Sequence, residues 1–330
     1  MAMAEIETDP KYGQLPDKLV SFLKDCEHRY FCRDLPVPFC GLLVYPATVK
    51  DYEEFSACSG CLTLDKNEDP KGIAMSHLGY MMSKTQIKEN DEGRAWSYRI
   101  QRLFEIIFHV RNGLKCDDCG EVIGYDSKEF ADFVLKARAY AASAQQEGAE
   151  PGDPPRLVCP HCGKDHLSEM MRFSQDQKTG KWSLQIDGKS ISDADFTRLR
   201  QLVLYQNFPD YADDSWVDPA VKKDHDEKMR LERQKNNLHA TIEKKVVCLS
   251  IATAYKFEEI WDMPIRKFTM AVATVDDLIN YKIMKQATMS GFVSLPKGKT
   301  VEHWIYKPDK DMYGDTYKDL DQVKNQASGL

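Results

Sequence analysis

The sequence predicts an α+β fold, mostly α-helical, in which helical N- and C-terminal parts flank a small, inserted, β-rich zinc ribbon held by four cysteines. Three observations predict it. Apolar residues recur at the helical period through most of the chain before residue 112 and after residue 188. Two Cys-x-x-Cys-Gly motifs, Cys116-Asp-Asp-Cys119-Gly120 and Cys159-Pro-His-Cys162-Gly163, fall between those parts. Short strand and turn signals cluster around the same motifs. The expected units are an N-terminal helical domain with a short strand over 1–111, a ribbon with an inserted helix and linker over 112–188, and a helical domain with an irregular tail over 189–330.

In the first unit, Leu15, Leu19, Phe22, Leu23, Cys26 and Tyr30 share one helical face, and Pro16 sits where a first-turn proline is tolerated. The run Phe39–Tyr45, bounded by Pro36, Pro38 and Pro46, reads as one short strand. A helix is expected from Thr48 to Cys58, with Thr48 as cap and Asp51 three residues on. Ser76–Met82 begins another. The strongest signal lies in Arg94–Val110, where Trp96, Ile100, Leu103, Ile107 and Val110 keep the helical period.

Within the ribbon, the alanine-rich Ser127–Ala144 carries Phe130, Phe133, Val134 and Ala137 on one side and predicts a helix between the two cysteine motifs. The polar stretch Gln145–Pro155 reads as a linker. Met171–Ser174 and Lys181–Ile186, joined across Lys178-Thr-Gly-Lys181, predict a hairpin belonging to the ribbon.

Beyond it, Ser192 or Asp193 caps a helix whose Phe196, Leu199, Leu202 and Val203 face a core, and Pro209 stops it. Asp218-Pro219 opens a long helix with a highly charged first half, and Leu238, Ile242, Val246, Leu249 and Thr253 form a stripe on its second half. Mixed charge of this kind marks a solvated face. Phe257, Ile260 and Trp261 continue the core; a helix follows Pro264 through Phe268, Val272, Val275, Leu278, Ile279 and Ile283, broken near Thr274 and ended by Gly291. Phe292–Leu330 reads as an irregular tail anchored by Trp304, Tyr306, Tyr313 and Tyr317.

The chemistry concentrates in Cys116, Cys119, Cys159 and Cys162. Tetrahedral Zn2+ takes four thiolates, and each knuckle supplies two, with the following glycine closing the turn at positive φ. An all-cysteine shell leaves no ligand position for water, so the zinc is expected to be structural. Disulfides are the alternative, but the N-terminus lacks a charged segment followed by an apolar run, so a reducing cytosol, which disfavours them, is expected. A redox role would set one pair in a βαβ context that neither has. Lys115 and Lys164 flank the knuckles and are expected to offset the thiolate charge, while His161 and His166 are expected to face solvent. Cys58-Ser-Gly-Cys61 is a single pair; Cys26, Cys32 or Cys40 folded nearby would complete a second site.

Composition narrows the function classes. The 330 residues carry a net charge of −7 and no apolar stretch of membrane-spanning length. That charge argues against a duplex-binding domain, and Asp117, Asp118, Glu121, Asp126 and Asp165 make the ribbon itself acidic. No phosphate loop, nucleophile elbow, His-Glu-x-x-His pair or kinase signature appears; Pro296-Lys-Gly-Lys299 lacks phosphate-loop spacing. The neighbouring carboxylates Asp51, Glu53 and Glu54, the pair Asp213 and Asp214, and Asp224-His-Asp-Glu227 read as solvated groups. A non-enzymatic protein is expected.

The segment Leu35–Phe55, leading through helix into a cysteine-rich ribbon, resembles the start of bacteriophage baseplate hub and tail assembly proteins, several of which carry a zinc ribbon between helical parts. Phe257–Phe268, and the run from Tyr281 through Met289-Ser-Gly-Phe292 to His303 and Trp304, are similar to proteins of phage tail gene clusters. The resemblance implies a chaperone-like assembly protein that binds tail or baseplate subunits in the host cytoplasm or enters the virion tail. A zinc-ribbon protein bound to nucleic acid or to transcription machinery is the alternative.

Overall fold

The computed structural model describes residues 10–66, 69–88, 91–144, 153–214, 217–235, 240–291, 295, 300, 301 and 303–305. In chain order the helices are α1 (Asp17–Arg29), α2 (Tyr52–Ser59), α3 (Pro70–Ile73), α4 (His77–Lys84), α5 (Glu92–Phe108), α6 (Lys128–Ala144), α7 (Asp193–Asn207), α8 (Pro219–Lys235), α9 (Ile242–Ala252), α10 (Phe257–Trp261) and α11 (Ile265–Met289). The strands are β1 (Val37–Phe39), β2 (Leu42–Val44), β3 (Gly113–Cys116), β4 (Val122–Gly124), β5 (Leu167–Glu169), β6 (Met171–Gln175), β7 (Trp182–Ile186) and β8 (Lys189–Ser192). They form three small sheets, ordered β1-β2, β4-β3-β5 and β6-β7-β8, every pairing antiparallel. The fold is α+β and mostly helical.

The main core gathers around α7, which packs against α1, α4, β7, β8 and α11. Because neighbours surround it, α7 buries polar side chains as well as Phe196, Leu199, Leu202 and Val203. Most of these side chains find a backbone or side-chain partner, although Gln201 Oε1 and Gln206 Oε1 have none among the described residues. Asn207 Oδ1 accepts from Ala47 N at 2.8 Å while its Nδ2 donates to Val203 O at 2.9 Å. Gln206 Nε2 donates to Val44 O at 3.2 Å, and Arg200 Nε donates to Leu62 O. These bonds pin the β1-β2 hairpin and the segment after α2 onto one helix. Ser192 is the cap, its Oγ accepting from Asp195 N at 3.2 Å.

A second core forms from Val49, Ile242, Val246, Leu249, Ile260, Met263 and Phe268. The two cores share chain segments: Val49 N donates to Met263 O (2.9 Å) within the second, and two residues away on each segment Ile265 N donates to Ala47 O (2.8 Å) within the first. Arg266 crosses the seam: its guanidinium donates to Tyr205 O at 2.8 Å and to Glu27 at 2.6 Å. Lys11 and Tyr12 also donate to Glu27, and although its partial burial opposes this, those donors and Arg266 hold its carboxyl below the usual range.

Several elements differ from the sequence expectations. The run Phe39–Tyr45 is not one strand but the end of β1, a turn and β2, because Cys40 and Gly41 both take left-handed φ, +49° and +77°, and turn the chain. The hairpin expected within the ribbon stands apart from it as the β6-β7-β8 sheet, whose Met171, Leu184, Ile186 and Ile191 join the main core. Its last strand follows an Asp187-Gly188 turn with φ of +45° and +73°, a hairpin signal that the sequence displays. The long helix from Pro219 is two helices: Thr241 caps α9, its Oγ1 accepting from Lys244 N at 3.2 Å. Leu238 lies outside the described residues. Helix α11 runs unbroken through Thr274, and Gly291 follows it at φ +76°. Most of the 145–155 linker and of the tail, including Tyr306, Tyr313 and Tyr317, lies outside the described residues.

Candidate metal centre

Strand β3 is the middle of the ribbon sheet and ends on Cys116. The chain turns at Asp117–Cys119 and returns as β4, with Cys116 N donating to Glu121 O at 2.8 Å and Gly120 N to Cys116 O at 2.9 Å. The second knuckle repeats this: Cys159 N donates to Lys164 O at 2.7 Å and Gly163 N to Cys159 O at 2.8 Å. Gly120 and Gly163 take φ of +79° and +72°, where a side chain would be strained. Strand β5 follows the second knuckle and pairs with β3, setting Leu167 opposite Cys116. Asp117 strengthens that junction, since its N–H donates to His166 O at 3.0 Å and its carboxylate accepts from Ser168 Oγ at 2.7 Å.

The result brings Cys116, Cys119, Cys159 and Cys162 together, with all four sulfurs within 4.8 Å of one another. Cys116 Sγ lies 3.5 Å from Cys162 Sγ, and Cys119 Sγ lies 3.5 Å from Cys159 Sγ. Four thiolates at about 2.3 Å from one tetrahedral ion would sit about 3.8 Å apart. The observed spread brackets that edge, so the donor set fits a single soft cation. Two of the thiols move in opposite directions: amide donors of Cys162 and then His161 hold Cys159 down to about 7, while at Cys119 the Glu121 amide is outweighed by desolvation and the neighbouring sulfurs, which push the thiol up to about 12. Among the described residues this is the one group of three or more His, Cys, Asp or Glu side chains placed to share an ion.

The neighbours behave less uniformly. His166 is exposed and lies 3.3 Å from Asp118, and His161 is exposed. Lys115 does not serve the thiolates; its ammonium pairs with Asp187, joining the ribbon to the β7-β8 turn. Met170 reinforces that joint, donating its N–H to Gly113 O and accepting from Asp187 N, each at 2.9 Å. Inserted α6 touches the ribbon through β4 and through Phe130, whose ring lies 4.8 Å from that of Tyr125 and tilted by 59° to it. Cys58 and Cys61 are buried at the end of α2, and burial pushes the Cys61 thiol up to about 12; no third ligand joins them among the described residues.

The neighbouring carboxylates are engaged in ordinary contacts. Glu54 pairs with Arg102 at 2.7 Å, and Asp51 accepts from Thr48 Oγ1 at 2.8 Å. Asp213 accepts from Gln201 at 3.2 Å, Asp214 pairs with Lys222 at 2.9 Å, and Asp224 pairs with Lys228 at 2.8 Å. No helix of the described residues is long and apolar enough to cross a membrane.

The second core carries the relationship to known proteins. Residues 232–309 match the family model for the YomV second domain. That family is phage-associated. The matched residues span α9, α10 and α11, which build the second core, and begin well after the ribbon. They include Phe257–Phe268 and the run from Tyr281 to Trp304. No curated protein and no solved structure matches the chain significantly.

Proposed function

We propose that this protein is a non-enzymatic phage assembly factor that binds tail or baseplate subunits in the host cytoplasm, either as a chaperone or as a component of the particle. The observation that carries the reading is the phage-associated match over a helical unit that leaves apolar surface uncovered. Helix α11 outruns α9, and its Ile279, Ile283, Met284 and Met289 are exposed, as are Val247 and Ile251 on α9. Exposed apolar residues grouped on one unit suit contact with another protein.

In this reading Cys116, Cys119, Cys159 and Cys162 hold zinc. The ion would supply cross-linking and no reaction, since four thiolates complete its tetrahedral shell. The ribbon is better suited to protein than to nucleic acid, because Asp117, Asp118 and Asp165 surround the knuckles.

Purifying the tagged protein from cells that co-express its neighbouring genes, with protein, nucleic acid and metal identified together, tests both parts. Tail or baseplate subunits with one zinc per chain are expected. Nucleic acid or polymerase subunits in their place would overturn the assembly reading, and full-length protein without zinc would overturn the metal reading.

A further inference from the structure

A cleft of about 420 Å³ lies where the two cores meet. One wall comes from the main core, through Tyr45 and His109; the other comes from the matched unit, through Tyr255 and the start of α11. The volume falls in the range of ligand sites, and junctions between structural units are where such sites collect.

Two features set its chemistry. Tyr45 and His109 stack face to face, with ring centroids 3.9 Å apart and planes at 10°, while His109 stays exposed at the C-cap of α5. Tyr255, 41% exposed, adds a further aromatic ring to the lining. The lining also holds three carboxylates, Asp34, Glu259 and Asp262, and one ammonium, Lys267; Asp34 is paired with Lys267 and Asp262 with Lys50, so Glu259 is the carboxylate left to meet a ligand. Lys267 is engaged by Asp34 at 2.8 Å, so the cleft offers little to an anion. Glu259 accepts a hydrogen bond from Lys256 N at 2.9 Å and stays exposed, keeping carboxylate capacity for a ligand.

We propose that this cleft binds an arginine side chain presented by a protein partner. Guanidinium is planar and stacks on aromatic faces while donating to carboxylates in a fork, and lysine does only the second. Nucleic acid is the wrong charge for the lining. The inference rests on the assembly reading in taking the ligand from a protein, and the experiment separates the two.

The test measures fluorescence anisotropy of a labelled Gly/Ser peptide carrying two arginines on the full-length, zinc-loaded protein, beside the same peptide with two lysines or two glutamates. His109→Gly removes the ring at a backbone position, φ +52°, that glycine adopts freely. Glu259→Gln removes a charge yet can still accept from Lys256 N. Glu232→Gln makes the same charge change on exposed α8. The arginine peptide should bind more tightly than the lysine peptide. Each cleft variant should weaken it by about fivefold, and Glu232→Gln should leave it unchanged.

Equal binding of the two basic peptides, no arginine-peptide binding, or indifference to both cleft variants would overturn the inference. Tail subunits that co-purify equally with the His109→Gly, Glu259→Gln double variant would also overturn it while leaving the assembly reading standing. Arginine-peptide binding that responds to the variants, in a protein that captures no tail subunit, would support the cleft and reject the assembly reading.

Discussion

Gly120 and Gly163 occupy matching positions in two turns that lie far apart in the chain. Each donates its N–H to the carbonyl of the first cysteine of its knuckle, at 2.9 and 2.8 Å, and each does so at positive φ. The match explains how two separate segments present four sulfurs to one point.

The cysteines should therefore act as a set. Cys116→Ser or Cys159→Ser is expected to reduce zinc from one ion per chain to background in metal analysis, and to open the ribbon to proteolysis between β3 and β5. The helices of both cores should keep their circular dichroism, since those cores do not include the knuckles.

Glycine substitutions separate backbone strain from steric conflict. A Cβ at Gly120 or Gly163 meets nothing within 4 Å, so alanine there should cost only the left-handed conformation, about 1–2 kcal/mol, read as roughly tenfold weaker zinc affinity against a chelator. At Gly113 the added carbon would sit 2.2 Å from Ile123 O and 2.8 Å from Gly124 Cα, both backbone. Gly113→Ala should cost about 3 kcal/mol and loosen the β3-β4 pairing, seen as faster amide exchange in those strands.

His77 gives the main core an acid sensitivity. Burial, with Arg200 and Lys66 beside it, pushes its imidazole down to about 3, well below the value of 6.5 expected when unfolded. The neutral ring's contribution is complete above that unfolded value and is lost progressively as pH falls from there to about 3, because the unfolded chain takes up the extra proton first. Urea midpoints measured across this range should fall more steeply for the native protein than for His77→Gln, by up to about 1.4 kcal/mol per pH unit. Loss of any metal held by the four cysteines would affect both proteins alike, so parallel curves would show that the imidazole reaches water.

The seam between the cores should be far more sensitive than the surface. Arg266→Ala strips Tyr205 O and Glu27 of a side-chain donor that is only 10% exposed, and about 3 kcal/mol of unfolding free energy should be lost. Arg29→Ala breaks a pair with Asp25 that is 65% and 51% exposed, and should cost about 0.5 kcal/mol or less. Urea denaturation of the two variants measures the contrast.

What the sequence settles is local. Trp96, Ile100, Leu103 and Ile107 repeat at 3.6 residues, and that repeat alone places α5. The spacing of Cys116 with Cys119 and of Cys159 with Cys162, each pair followed by glycine, specifies two turns able to present sulfur to a metal. The Asp187-Gly188 turn and the Thr241 cap were legible in the same way, each signal being carried by two to four adjacent residues.

Choice of distant partner is another matter, and tertiary structure decided it. Pairing of β3 with β5 brings the knuckles to one point, while β6 turns away to join the main core although it begins only two residues after β5 ends. Val49 enters a core otherwise built almost two hundred residues later, and Tyr45 meets His109 across the end of α5. Helical and turn preferences act among near neighbours and are written in short patterns. Which buried surfaces meet depends on packing the whole chain at once, and no short pattern records it.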